Sequence, residues 1–332
     1  MKEKFIKYPV ISFFSLTSLI SWPLFIIVMF IFPGNMLVEG VFGSIATFGP
    51  ALSGVIVSTV TNKKRKEKQG NIRIIAFIIS WLFSALIMIL YIIKVRNNNL
   101  HTGLIVFSGL LSLLPAYIIS KAFSDKPKVR DYLETLIKPK GKFYWYLIAL
   151  FTFPLFQYAG YIISIIMGND PDSFIHYEWS SGIVLTILLT FLFGFLFSGG
   201  INEETGWRGF AIPEIQKRFS PLIATIIVWF FWALWHLLYD IHTAESVSSV
   251  LLNRLVYNLF WSVLFVWIFN RTKKSILAPA IFHPAMNTSS EFFVVTDHTG
   301  ILFGILTIVV IFTDKMWKIT NKHGNNGEKI NR

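Results

Sequence analysis

What most constrains this chain is a succession of apolar stretches, each long enough to cross a bilayer. A hydrocarbon core of about 30 Å requires roughly 20 apolar residues in a helix. Ten candidate runs meet or approach that length: 9–32, 41–60, 72–93, 101–120, 143–167, 183–210, 221–239, 250–269, 275–295 and 301–313. The expectation is an all-α, polytopic transmembrane helical bundle of about ten spans, with eight to ten as the range. Only 14% of the 332 residues are charged, against about 25% in soluble domains. The formal charge of +12 would suggest nucleic acid in a soluble protein. Here the cations fall between the apolar runs, so membrane lipid is the expected partner and nucleic acid is not.

The distribution of those cations orients the chain. With the amino terminus in the cytoplasm, the gaps on that side hold 27 of the 30 Lys and Arg residues, leaving Lys94, Arg96 and Arg254 outside. The opposite orientation reverses the bias, so the positive-inside rule predicts both termini in the cytoplasm. The outer stretches carry Asp170, Asp172, Glu178, Asp240, Glu245 and Asp297 instead. The first run follows Lys2, Lys4 and Lys7, is too long for a signal-peptide core, and has no small-x-small cleavage site after it. It reads as a retained anchor. A multi-pass protein of a cell membrane, of bacterial plasma-membrane type, is expected.

Outside the runs, Lys63–Lys68 (KKRKEK) is an orientation determinant with anionic-lipid contact as a second role. Residues 123–142 mix Lys, Asp and Pro with Tyr132, Leu133, Leu136 and Ile137. They read either as an amphipathic helix in the cytoplasmic interface or as a plain loop. From Asn321 the chain is polar and rich in Gly and Asn, as disordered tails are. Trp145, Trp179 and Trp317 fall near run ends and suit an aromatic belt. Trp229, Trp232 and Trp235 suit packing better than a cofactor site.

The informative residues are ionisable ones inside the runs, since each charge at mid-bilayer costs about 2.5–3.5 kcal/mol. INEETGWRGF holds Glu203, Glu204 and Arg208, WALWH ends in His236, and FHPAMN holds His283 and Asn287. On a helix, Glu204 and Arg208 are four apart and can pair. Glu203 is rotated by about 100° and is left for chemistry. His283 and Asn287 also share a face, from which both can donate to one anionic oxygen. Pro284 marks either a first helical turn or a kink. Gly199-Gly200 suits a bend or a close helix approach. If the chain turns at Ser220, Glu203 and His236 lie at one level, about 25 Å from the turn. His283 is only about 13 Å beyond Lys274 on the same measure. Catalysis, ion translocation and a structural polar core all remain open on these residues alone.

Several chemistries are excluded or unsupported. No cysteine is present, which rules out disulfides, Cys-ligated zinc, iron–sulfur clusters and a thiol nucleophile. No Gly-rich phosphate loop, HExxH or Gly-x-Ser-x-Gly occurs.

The three polar stretches, in this order, resemble the CPBP family of intramembrane proteases (CAAX protease and bacteriocin-processing, or Abi), whose eukaryotic members are type II CAAX prenyl endopeptidases. The family pattern is Glu-Glu-x-x-x-Arg, Phe-x-x-x-His and His-x-x-x-Asn. The first and third are intact at Glu203-Glu204…Arg208 and His283…Asn287. In the second, Trp232 stands where Phe is expected before His236, and Pro284 is a further departure. Phe48-Gly49-Pro50-Ala51 also looks like the family's upstream region. The resemblance is strongest over 194–290.

The resemblance implies hydrolysis of a peptide bond in a membrane-associated protein or peptide. Glu203 would act with His236 to activate water, His283 and Asn287 would stabilise the oxyanion, and Glu204 and Arg208 would hold the helix. The expected organisation is N-terminal transmembrane helices with cytoplasmic basic loops (1–182), a catalytic core like that family's (183–317) and a disordered cytoplasmic tail (318–332). The cofactor is either absent or a divalent metal, with Glu203, His236 and His283 as candidate zinc ligands. A bacterial host would favour bacteriocin or peptide-pheromone precursors over prenylated proteins, by family analogy. The alternatives are a non-catalytic membrane scaffold or bacteriocin self-immunity protein, and an ion-coupled transporter. Against the transporter, no paired broken helices are seen in matching halves.

Overall fold

The computed structural model describes residues 2–35, 38–62, 70–170, 182–243 and 246–319. The KKRKEK cluster, Asp172, Glu178, Trp179, Glu245 and the tail from Asn321 lie outside these residues. Among the described residues every regular element is helical: α1 (Lys2–Lys7), α2 (Pro9–Ile31), α3 (Glu39–Thr47 and Gly49–Val60), α4 (Ile72–Lys94), α5 (Thr102–Phe123), α6 (Pro127–Ile137), α7 (Tyr144–Ile166), α8 (Ile183–Ile215), α9 (Pro221–Thr243), α10 (Val247–Arg271), α11 (Leu277–Phe292) and α12 (Asp297–Thr313).

Six of these helices are long and apolar enough to cross a membrane, or seven when the two halves of α3, bent by 48°, count as one span. This is fewer than the eight to ten expected. The difference lies in the last third of the chain. The apolar part of α9 (Pro221–Leu237) and α12 fall in the 10–17 residue class, and α11 has 16 residues. α11 and α12 are shorter than the roughly 20 residues a full crossing requires.

Membrane logic is plain in α4. Ser80 and Ser84 are buried, whereas Ile75, Ile79, Leu82 and Leu86 are exposed. Small polar residues face neighbouring helices, where backbones approach closely, and branched apolar ones face outward. Several helices begin as their sequences direct. Pro9, Pro127 and Pro221 open α2, α6 and α9, where the missing N–H costs nothing. The Thr296 hydroxyl accepts from the Thr299 N–H at 3.1 Å to cap α12.

Residues 127–137 form a helix rather than a loop. Val129, Leu133 and Leu136 are buried, and α6 packs on α3, α8 and α11. Its apolar face is covered by protein. The helix α8 is surrounded by α3, α4 and α11. Two close approaches set its position: a Cβ on Gly206 would meet the Pro50 backbone at 2.5 Å, and one on Gly194 would meet Pro284 Cβ at 3.1 Å. Pro284 therefore lies inside α11, with its ring against a glycine of the neighbouring helix. Phe48-Gly49-Pro50-Ala51, buried at the bend of α3, supplies the surface on which Gly206 rests.

Candidate active site

The Glu203–Arg208 stretch does not continue as an ordinary α-helix. The first α-helical run of α8 ends at Phe197, Gly199 takes φ +106°, and two π-helical turns follow at Gly200–Glu204 and Trp207–Ala211. Single π turns inside helices recur at functional sites because the extra residue re-aims the side chains. The Gly199 N–H donates to Asn202 Oδ1 at 2.7 Å, and Asn202 Nδ2 donates to the Thr47 carbonyl at 3.3 Å. The bend is thereby tied to α3. A Cβ on Gly199 would meet the His283 ring at 2.5 Å, so the glycine serves both the bend and the close approach.

The two carboxylates part company as their spacing suggests. Arg208 Nη1 donates to Glu204 Oε1 at 2.9 Å, with both side chains fully buried. The cation count places Arg208 in a cytoplasmic gap. It belongs instead to the interior, because its charge is matched there by Glu204. Its guanidinium lies between two aromatic faces, 4.6 Å from the Trp232 ring and 4.1 Å from the Phe265 ring, which adds cation–π attraction in a dry setting.

Glu203 faces elsewhere. Trp232 Nε1 donates to Glu203 Oε2 at 2.7 Å, and His236 Nε2 lies 3.7 Å from the same oxygen. His283 Nδ1 lies 2.7 Å from Glu204 Oε1. Asn287, half-buried, donates from Nδ2 to the Ser198 carbonyl at 3.1 Å. Trp232 packs edge-on against both His236 and His283, with centroids 5.6 and 5.8 Å away. The three polar stretches thus meet around one tryptophan, despite the shorter reach from Lys274 to His283.

Three contacts escape the sequence reading. Trp232 donates to Glu203 as well as packing, and the signal available was the indole at a position where the family carries Phe. Glu204 contacts His283 as well as Arg208. Tyr132 Oη donates to the Thr205 carbonyl at 2.5 Å, bracing the segment beside Glu204 from α6. Spacing along α8 carries no trace of these last two.

The candidate metal set does not fit a three-ligand site. Among the described residues no three His, Asp or Glu side chains converge so as to hold a metal ion. His283 turns Nδ1 to Glu204, and the Glu203 oxygen nearest His236 is already engaged by an indole N–H.

The fold and the site define a class: a multi-pass helical membrane protein with a glutamate, histidine and asparagine cluster buried between its helices. Residues 184–289 match the family model described as type II CAAX prenyl endopeptidase Rce1-like. Over 241 residues the chain is 27% identical to CAAX prenyl protease 2 of Methanococcus maripaludis, covering 66% of this chain and 86% of that protein. Over these residues the chain is similar to CAAX proteases, and this similarity supports a membrane endopeptidase.

Proposed function

We propose that this protein is an intramembrane endopeptidase that cleaves a membrane-associated protein or peptide by a water activated between Glu203 and His236. The observation that carries this reading is the 3.7 Å separation of Glu203 Oε2 and His236 Nε2. It is too long for a direct hydrogen bond and lets one water contact both groups. Glu203, steadied by the Trp232 indole, takes the proton as the water attacks the carbonyl carbon, and His236 orients that water and shares the proton. Collapse of the tetrahedral intermediate returns a proton to the departing amine.

His283 and Asn287 are the oxyanion donors in this scheme. Asn287 has a second amide hydrogen beyond the one given to Ser198. His283 Nδ1 is committed to Glu204, so Nε2 donates only when the Glu204–His283 pair holds one proton more than a neutral imidazole beside a carboxylate. Arg208, against the same Glu204 oxygen, holds that pair in place. The site belongs to a core at 183–317, behind N-terminal helices at 1–182 and before a tail at 318–332, with both termini cytoplasmic in a cell membrane. The archaeal relative is named as a prenyl protease. For this chain the substrate class we assign is a polypeptide presented from the membrane.

The test compares new peptide termini in membranes from cells carrying the intact protein or Glu203→Gln at matched levels. Loss of a positioned base lowers the rate by about 10²–10⁴-fold, so termini present only with the intact protein are expected. Identical sets of termini would sink the assignment and favour a non-catalytic membrane partner.

A further inference from the structure

On the lysine-rich side of the bundle a cavity of about 710 Å³ opens between α1, α3, α6, α8 and the turn joining α10 to α11. It is lined by apolar Ile6, Pro9, Phe210 and Phe269, by the carboxylates Asp131 and Glu214, and by five lysines: Lys128, Lys140, Lys217, Lys273 and Lys274. Lys128 and Lys217 lie 3.8 and 2.5 Å from Glu214. Lys140, Lys273 and Lys274 have no carboxylate at ion-pair distance among the described residues.

Two of these three are held in place at a cost. Lys273 and Lys274 take φ of +53° and +63°, in the left-handed region that side chains resist and that helix ends usually give to Gly or Asn. The turn carrying them is pinned from below. Ser275 Oγ donates to the Thr135 carbonyl at 3.0 Å, and the Ile276 N–H donates to Thr135 Oγ1 at 3.3 Å. Tyr146 joins that turn to Lys140: its hydroxyl lies 3.0 Å from Ser275 Oγ and accepts from the Lys140 N–H at 2.7 Å. Gly141 presses the Lys140 loop onto the turn, since a Cβ there would meet the Thr272 backbone at 3.0 Å. An orientation signal needs only positive charge in a loop of any shape. Three lysines without a carboxylate partner among the described residues, two of them on strained backbone and all on a braced turn and loop beside apolar lining residues, point to a ligand with one anionic and one apolar end.

We infer that this cavity binds the headgroup of an anionic phospholipid, with its phosphate among Lys140, Lys273 and Lys274 and its glycerol and upper acyl chain on the apolar lining residues. Tyr132 lines the same cavity and donates to the Thr205 carbonyl, so the lipid would rest against the segment that carries both glutamates. The inference does not depend on proteolysis.

The test uses the full chain in nanodiscs of phosphatidylcholine containing phosphatidylglycerol, with retained lipid read by native mass spectrometry. Each lysine near an anionic headgroup is worth about 1 kcal/mol, roughly fivefold. The triple variant K140Q/K273Q/K274Q should therefore retain phosphatidylglycerol at least about tenfold more weakly, and the matching triple arginine variant should restore it. The single variants K140Q and K274Q, each expected to weaken retention about fivefold, carry the test if the triple fails to fold. Neutralising Lys4, Lys315 and Lys318 removes as much charge outside the cavity and should leave retention unchanged. Equal loss in that control, or undiminished retention in K140Q/K273Q/K274Q, would overturn the proposal. Displacement by inorganic phosphate as effective as by phosphatidylglycerol would also overturn it, in favour of a soluble anion.

Discussion

Glu204 and His283, 79 positions apart, meet at 2.7 Å through the same carboxylate oxygen that accepts from Arg208. One acidic side chain therefore joins α8 to α11 and holds both a guanidinium and an imidazole in a buried setting. That arrangement gives the adjacent glutamates different roles, since Glu204 binds the helices together while Glu203 remains turned toward His236.

Removing one partner from such a group leaves a charge in a dry interior, which costs about 3–5 kcal/mol, whereas replacing both partners is often neutral. Arg208→Ala should accordingly lower the melting temperature sharply and deplete the protein from membranes. The double variant Glu204→Gln/Arg208→Met should recover much of that stability without recovering cleavage. Thermal unfolding in detergent and immunoblot levels measure both effects, and an Arg208→Ala protein melting at the original temperature would refute the account.

Trp232 allows a milder change. Trp232→Phe keeps an aromatic ring over Arg208 and removes only the N–H that Glu203 accepts. A hydrogen bond to a charged group is worth about 1.5–3 kcal/mol, so kcat should fall about tenfold while the protein still folds. An unchanged kcat would show that the indole packs against Glu203 without positioning it.

Gly199 is the position least tolerant of a methyl group. At φ +106° a Cβ meets the His283 ring, and left-handed backbone costs a side chain about 1–2 kcal/mol. Gly199→Ala should lose cleavage by displacing His283 and should also lower the melting temperature. Gly34→Ala, also at positive φ but with open space around its Cβ, should affect stability alone. Full cleavage by Gly199→Ala would mean that His283 has room to move.

Tyr132 links stability to alkaline pH. Burial pushes its phenol well above the ordinary tyrosine range, because the charged form is poorly solvated there. An acid whose folded pKa is raised contributes stability that is complete below the unfolded value of about 10 and declines as pH rises above it. Melting temperatures should therefore fall above about pH 10, and Tyr132→Phe should show a shallower decline. Parallel curves for the two proteins would contradict this link.

How much of this was legible beforehand depends on the distance over which each feature is encoded. Apolar run length determined that the chain is a helical membrane protein, because the bilayer imposes one length scale on every crossing segment. The i, i+4 spacing determined that Glu204 pairs with Arg208 and that Glu203 points away, because one helical turn relates them. The family motifs brought His236, His283 and Asn287 into the same reading. Run length could not determine the number of full spans, since α11 and α12 form helices shorter than a complete crossing. Only the tertiary structure decided that Glu204 reaches His283, that the Trp232 indole reaches Glu203, and that Lys140, Lys273 and Lys274 share a braced cavity. Those contacts depend on how neighbouring helices are rotated and on where π turns shift the register. Helical rotation is set by packing across the bundle, which periodicity within a single segment does not record.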